Sequence, residues 1–503
     1  MKSLIQLAVV FFAFLQTLLA QVEHLGARLT GDQEVPPVAT AANGFAIVTV
    51  DLSTNRVDVF AHGDGIVATA AHLHNAISGT NGPVILPLAG GPRTWTGSAV
   101  LAAGQVAAIL TGATYVNLHT AANPGGEIRG QVFPEQVRRY AVSLNGAGEV
   151  PPNASTATGS MEIFLHLPSR VLMYELRVSG LTATAAHIHT GVVGANGPVL
   201  FPLVGGPTRW CGVTPRLSDA SLTALTFDGL YVNVHTAAFP GGEIRGQIGL
   251  ENDEFSTVLN GGQEVPPTPS LALGRACVRI LPSGAVEYRV DTTGVVATAA
   301  HIHLAPTGVN GPVIVPLVGG PTTWVGVSAP LLSSNLDAMR TGQTYINVHS
   351  AAFPGGEIRG QLIGVEPYRV FGLGCPAGPS SRPEIGARGM ACRGEVFTPL
   401  LAGGPAGQPA AVLFGFSREF VPGGGRLPLD LTLLGLSGCF LFHDNPGISI
   451  ATATDALGCA EANLPIPVTA PVGVHMFAQW FMVAPGANPA GIGASNGMEF
   501  LLR

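Results

Sequence analysis

Between about residues 24 and 366 the chain repeats one pattern of polar residues three times. Each copy carries Ala-His-x-His, which supplies His72 and His74, His187 and His189, and His301 and His303. Asn-x-His follows (Asn117 and His119; Asn233 and His235; Asn347 and His349), and then Pro-Gly-Gly-Glu-Ile-Arg-Gly-Gln from Pro124, Pro240 and Pro354. A period of about 115 residues is too long for a solenoid unit, so each copy is read as a domain with its own core. The boundaries read as 24–137, 138–252 and 253–366, with 370–503 left for a fourth domain.

Within a copy the apolar residues alternate with polar ones in short runs. Glu-Val-Pro-Pro (Glu34, Glu149, Glu264) opens each copy, and two adjacent prolines mark an edge or entry loop, because proline cannot donate to a central ladder. In the first copy Phe45 to Leu52 and Arg56 to Phe60 flank the turn-prone Ser53-Thr54-Asn55, which predicts a hairpin. The His-x-His run, a Gly-Pro-Val run and a Gly-Gly-Pro turn into Trp95, Trp210 or Trp324 come next. Seven or eight short strands with turns every eight to twelve residues predict an all-β fold: three tandem antiparallel sandwich or barrel domains, and a sandwich-like C-terminal domain. Helices should be scarce, and the tryptophans should anchor cores.

Residues two apart on an extended strand point the same way, so His72 with His74, Asn117 with His119, and Glu127 with Arg129 are delivered as same-face pairs. Three imidazoles from two strands can converge and leave a fourth position open, the ligand count of a copper or zinc site, one per repeat. The expected metal ligands are His72, His74 and His119; His187, His189 and His235; and His301, His303 and His349. Asn117, Glu127, Asn233, Glu243, Asn347 and Glu357 would orient an imidazole, and Arg129, Arg245 and Arg359 would attract anions. The competing account of the same residues is a satisfied polar network pinning strand ends.

Composition narrows the function. Only 11% of residues are charged, against roughly 25% in an ordinary globular protein, while 47% are apolar, enough to offset the entropy of ordering. A net charge of -7 with no basic face gives nucleic acid nothing to bind. Lys2 is the only lysine, so Schiff-base and phosphate-loop lysine chemistry are excluded from the mature chain.

Lys2, the apolar run Leu4 to Phe14 and the small Ala20 predict a signal peptide over 1–20, hence a secreted or cell-surface protein with no membrane anchor after its removal. In that compartment Cys375, Cys392, Cys439 and Cys459 read as two disulfides, with sequence neighbours the expected pairs: Cys375 with Cys392 and Cys439 with Cys459. Cys211 and Cys277 have no counterpart in the other copies, where Thr96 and Val325, and Ile47 and Glu162, hold their places; they are expected to be small buried hydrophobes.

The series Ala-His-x-His, Gly-Pro-Val, Asn-x-His and Pro-Gly-Gly-Glu-Ile-Arg-Gly-Gln resembles the CHRD, or chordin-type, domain in three tandem copies. The resemblance implies extracellular all-β modules. A more distant one is to the copper/zinc superoxide dismutase sandwich, in which His72, His74, His119 and Arg129 would take the copper-side places. Residues 75 to 116 hold no His, Asp or Glu, so no bridging histidine and no zinc loop exist in the first copy.

In the C-terminal domain, apolar runs at Ala411 to Phe416, Leu427 to Leu434 and Val474 to Val483 predict strands, and attachment or stalk termination is the expected role. Gly493-Ala494-Ser495-Asn496-Gly497 fits a hydrolase elbow, but no histidine follows Ser495, so the segment is read as a glycine-rich loop. The reading is an exported, non-enzymatic binding or adhesion protein for an extracellular protein or surface ligand. The alternatives are a copper-dependent redox enzyme and a structural spacer.

Overall fold

The computed structural model describes residues 22–503 apart from 136, 251–252, 282, 365–367, 379–381 and 423; the expected signal peptide lies outside the described residues. The first repeat consists of β1 (Val22–Thr30), β2 (Asn43–Asp51), β3 (Arg56–Asp64), β4 (Ala68–Asn75), β5 (Val84–Gly90), β6 (Thr94–Val100), α1 (Ala103–Leu110), β7 (Thr114–Thr120) and β8 (Ile128–Gln131). The strands hydrogen-bond in the order β2-β3-β6-β5-β4-β7-β8-β1, and β1 also pairs β2 along nine residues, so the sheet closes into an eight-stranded barrel. β4, β5 and β6 are consecutive neighbours and β7 returns beside β4, a Greek key. Closure removes the exposed edge that a turn-rich, weakly charged sheet would otherwise present to other chains.

Repeats two and three have the same order, and the ring is completed there by single bridges, Gly205 to Trp210 and Gly319 to Trp324. Each barrel has its own apolar interior. In the first it includes Leu73, Val116 and Leu118, none of them exposed, while Trp95, Trp210 and Trp324 are buried as anchors. One eight-residue helix per repeat crosses between β6 and β7 or their equivalents.

The C-terminal domain sets a five-stranded sheet (Tyr368–Phe371, Ile492–Leu501, His475–Val483, Pro409–Gly415, Ile448–Ala453) against a smaller one built on Glu384–Arg388 and Val396–Ala402. Phe397, Phe414, Trp480 and Phe500 fill the space between them. The run Leu427 to Leu434 forms only a two-residue strand and a short 3-10 turn. Ser495 is not in a loop: it lies fully buried in the strand Ile492–Leu501, where its Oγ accepts from the Trp480 N–H at 2.9 Å and donates to the Asn496 carbonyl. Its hydroxyl is consumed by backbone groups.

The cysteine pairing differs from expectation. Cys211 of repeat two is bonded to Cys459, Cys277 of repeat three to Cys392, and Cys375 to Cys439. Cys211 and Cys277 are therefore half-cystines, singular among the repeats because each stitches its own barrel to the C-terminal domain. Repeat one is held without a covalent bond. Phe45 meets Phe440 and Phe442 edge to face at 5.2 and 5.7 Å, and the buried Glu135 carboxylate accepts from Arg418 at 2.7 Å. Phe164 and Met173 of repeat two belong to the same apolar cluster as the C-terminal core. The fourth domain is thus the hub on which all three barrels are mounted.

Candidate metal centre

Alternation along β4 sends Ala71 and Leu73 into the barrel and His72 and His74 outward; along β7 it sends Val116 and Leu118 inward and Tyr115, Asn117 and His119 outward. In the ladder His72 faces Asn117 and His74 faces Tyr115, while Ala70 faces His119, which puts His119 diagonally across from His72. A register shift between Leu73 and His74 in the pairing with β5 recurs in both other repeats, directly before the second imidazole.

The three imidazoles meet. One ligand nitrogen from each of His72, His74 and His119 lies within 4.8 Å of the other two, as do those of His187, His189 and His235 and of His301, His303 and His349. Each ring has a defined role. His119 Nδ1 donates to the Pro124 carbonyl at 3.0 Å and His74 Nδ1 to the Gly82 carbonyl at 3.0 Å, so both present Nε2 as a lone pair. His72 offers Nδ1, 3.0 Å from His119 Nε2. His74 Nε2, like His189 Nε2 and His303 Nε2, is buried and has no hydrogen-bond partner. Burial holds the pKa of His72, His74 and His119 below the ordinary imidazole value, with His119 adding to the effect at His72, so the rings are held neutral, the form that ligates.

Behind the histidines lies a stack that the sequence reading missed. His74 lies flat on Tyr115 (centroids 4.7 Å apart, planes 8° apart), and the Arg129 guanidinium lies on the opposite face at 3.4 Å. His189, Tyr231 and Arg245 repeat this arrangement, as do His303, Tyr345 and Arg359. Tyr115 also accepts from the N–H of Gly82, the residue whose carbonyl holds His74. A tyrosine two residues before each Asn, on the same strand face, was the available signal.

Three predicted roles are placed elsewhere. Arg129, Arg245 and Arg359 are buried beneath the tyrosines, with Arg129 donating to Asn81, so they do not line an anion entrance. Glu127, Glu243 and Glu357 accept from Thr40, Ser155 and Ser270, bracing the entry loop and not an imidazole. Asn117, Asn233 and Asn347 donate to the buried Glu34, Glu149 and Glu264 of the Glu-Val-Pro-Pro loop. Backbone carbonyls orient the imidazoles instead. Gly126, at φ +133°, permits the Asn–Glu contact, because a Cβ there would fall 2.4 Å from Asn117 Nδ2 and 2.6 Å from Glu34 Oε1.

The model of the CHRD domain matches residues 25–132, 140–248 and 255–362, which together make up most of the chain. The chain belongs to the CHRD domain family. Chordin of Danio rerio is 26% identical over 244 residues, which cover 44% of this chain and 26% of chordin, so the chain spans about a quarter of that relative's length. Among solved structures, Escherichia coli alpha-2-macroglobulin activated by porcine elastase is 11% identical with a TM-score of 0.18, covering 88% of this chain and 42% of that one. The trypsin-activated form is 9% identical with a TM-score of 0.12, covering 90% and 31%. Scores that low carry no argument. CHRD modules, likeness to chordin and three disulfides are consistent with a secreted protein, and no helix among the described residues is long and apolar enough to cross a membrane.

Proposed function

We propose that this chain is an exported binding protein whose three CHRD modules each hold one divalent transition metal, copper or zinc, on three histidines. The observation that carries this reading is His74 Nε2 and its two counterparts: buried acceptors without a donor, aimed at two further imidazole nitrogens in every barrel. A satisfied polar network would leave no such atom three times over, since a buried acceptor lacking its hydrogen bond costs about 1–3 kcal/mol. A bound ion meets that need. Three linked sites favour binding, because avidity from effective concentration raises affinity without new contacts.

Element-resolved metal analysis of the full chain after dialysis tests the proposal. Three equivalents of one metal are expected, and His74→Ala should lose one of them; a chain that retains none after loading with copper and zinc overturns the reading. A redox enzyme is the second reading, favoured by the partial exposure of His72 and His119, which leaves a solvent-facing side at each trio. Superoxide consumption by the copper-loaded chain separates the two readings: a loaded but inactive chain leaves binding alone.

A further inference from the structure

A second kind of site lies at the seam between the third barrel and the C-terminal domain. Arg275, Arg289, Arg393 and Arg503 border a cleft of about 380 Å³ in which Asp291 is the only acidic residue among the described residues. Asp291 is already taken by Arg289 at 2.8 Å, and Arg503 donates to Ser256. Arg393 donates through Nε to the Ala470 carbonyl, and neither it nor Arg275 is ion-paired with a carboxylate among the described residues. Both line the same cleft, and burial, with the charge of Arg393 adding to it, holds the Arg275 pKa below its ordinary value. Two guanidinium groups lining one cleft with no carboxylate paired to either leave positive charge that an anion would meet.

Beyond these charges the lining mixes the hydroxyl residues Ser256, Thr257 and Thr293 with apolar side chains. Val258 and Leu273, 43% and 53% exposed, line the cleft from the third repeat, and Val472 and Leu501 from the C-terminal domain. Of the cleft's arginines, Arg275 and Arg289 are particular to the third repeat. Arg275 faces Asp291 in the ladder just as Phe45 faces His62 and Ser160 faces Arg177, so the place that holds an arginine here holds phenylalanine in repeat one and serine in repeat two. Likewise Arg289 stands where repeat one has Phe60 and repeat two has Glu175. The Cys277–Cys392 disulfide fastens one wall to the other, so the cleft is preformed and a ligand loses little entropy in ordering it.

We infer that this cleft binds one amphiphilic organic anion, a carboxylate or sulfate head between Arg275 and Arg393 with an apolar body against Val258, Leu273 and Leu501. Titration calorimetry on the full chain with decanoate, decanol and inorganic sulfate tests it. Decanoate should saturate at one per chain, and decanol and sulfate should each bind at least tenfold more weakly. Arg275→Ser, which installs the repeat-two residue, and Arg393→Gln should each weaken decanoate at least tenfold with an unchanged unfolding midpoint, and Leu273→Ser should weaken it while leaving sulfate as it was. Decanoate binding that is absent, or indifferent to both arginine changes, overturns the inference, as does sulfate or decanol binding as tightly as decanoate.

Discussion

His74 and Tyr115 lie face to face, and a hydrogen-bond path through Gly82 ties them a second time: the Gly82 N–H donates to the tyrosine hydroxyl while its carbonyl accepts from His74 Nδ1. The tyrosine thus fixes both the plane and the tautomer of one imidazole. Replacing it by leucine removes both constraints, and loss of such supporting groups typically costs 10- to 100-fold in metal affinity. Tyr115→Leu should therefore weaken one of the three proposed metal sites by roughly 10- to 100-fold, and Tyr115→Phe, which keeps the stack, should cost less. Competition with a chelator of known affinity reads the difference.

The hub arrangement makes a chemical prediction. Peptide mapping without reductant should recover Cys211 linked to Cys459 and Cys277 linked to Cys392, and no link between Cys439 and Cys459. Cys211→Ser paired with Cys459→Ser should lower stability by about 2–5 kcal/mol, the usual consequence of removing a native cross-link, as measured by denaturant unfolding of the C-terminal core.

Repeat one is docked by aromatic packing and ion pairs, Glu135 with Arg418 and Asp64 with Arg382, where the others have cystines. Phe45→Ala removes the ring that contacts Phe440 and Phe442 and should cost about 3–5 kcal/mol at that interface. Hydrogen exchange should then rise in β2 and around Phe440, with repeats two and three unchanged.

Buried carboxyls give a pH dependence. Burial holds Glu34, Glu149 and Glu264 up at about 7, against the opposing pull of Arg129, Arg245 and Arg359. Asn117 Oδ1 and Glu34 Oε1 are both buried without a partner, and a proton on the acid supplies the donor that this pair lacks. Because the folded value lies above the unfolded 4.5, the contribution to stability is complete below about 4.5 and is lost as pH rises through about 7. Glu149→Gln, which mimics the protonated acid, should flatten the decline in the denaturation midpoint between pH 5 and 8; an unchanged slope counts against it.

Much of this architecture could be read from local pattern. The hairpin around Ser53 to Asn55, the outward pairs His72 with His74 and Asn117 with His119, and the buried tryptophans all follow from period-two alternation, which is a property of one strand. What escaped depends on contacts between strands or domains. Cys211 and Cys277 looked like isolated apolar residues because their partners lie 248 and 115 residues away on a domain whose docking no local signal encodes. Arg129 shares a strand face with Glu127, but the ladder sets it diagonally beside Tyr115 on β7, so its charge is spent on a ring and not at an entrance. Helix α1 is about two turns long, too short for the helical period to stand out against the strand pattern around it.

Mounting three barrels on one shared domain, two of them by covalent stitches, removes the freedom that beads on a string would have. Distances among the histidine trios are therefore built in. On the proposed binding role, a partner bearing several attachment points would have to match that spacing to engage more than one trio, so discrimination among partners would come from the scaffold as well as from any single pocket.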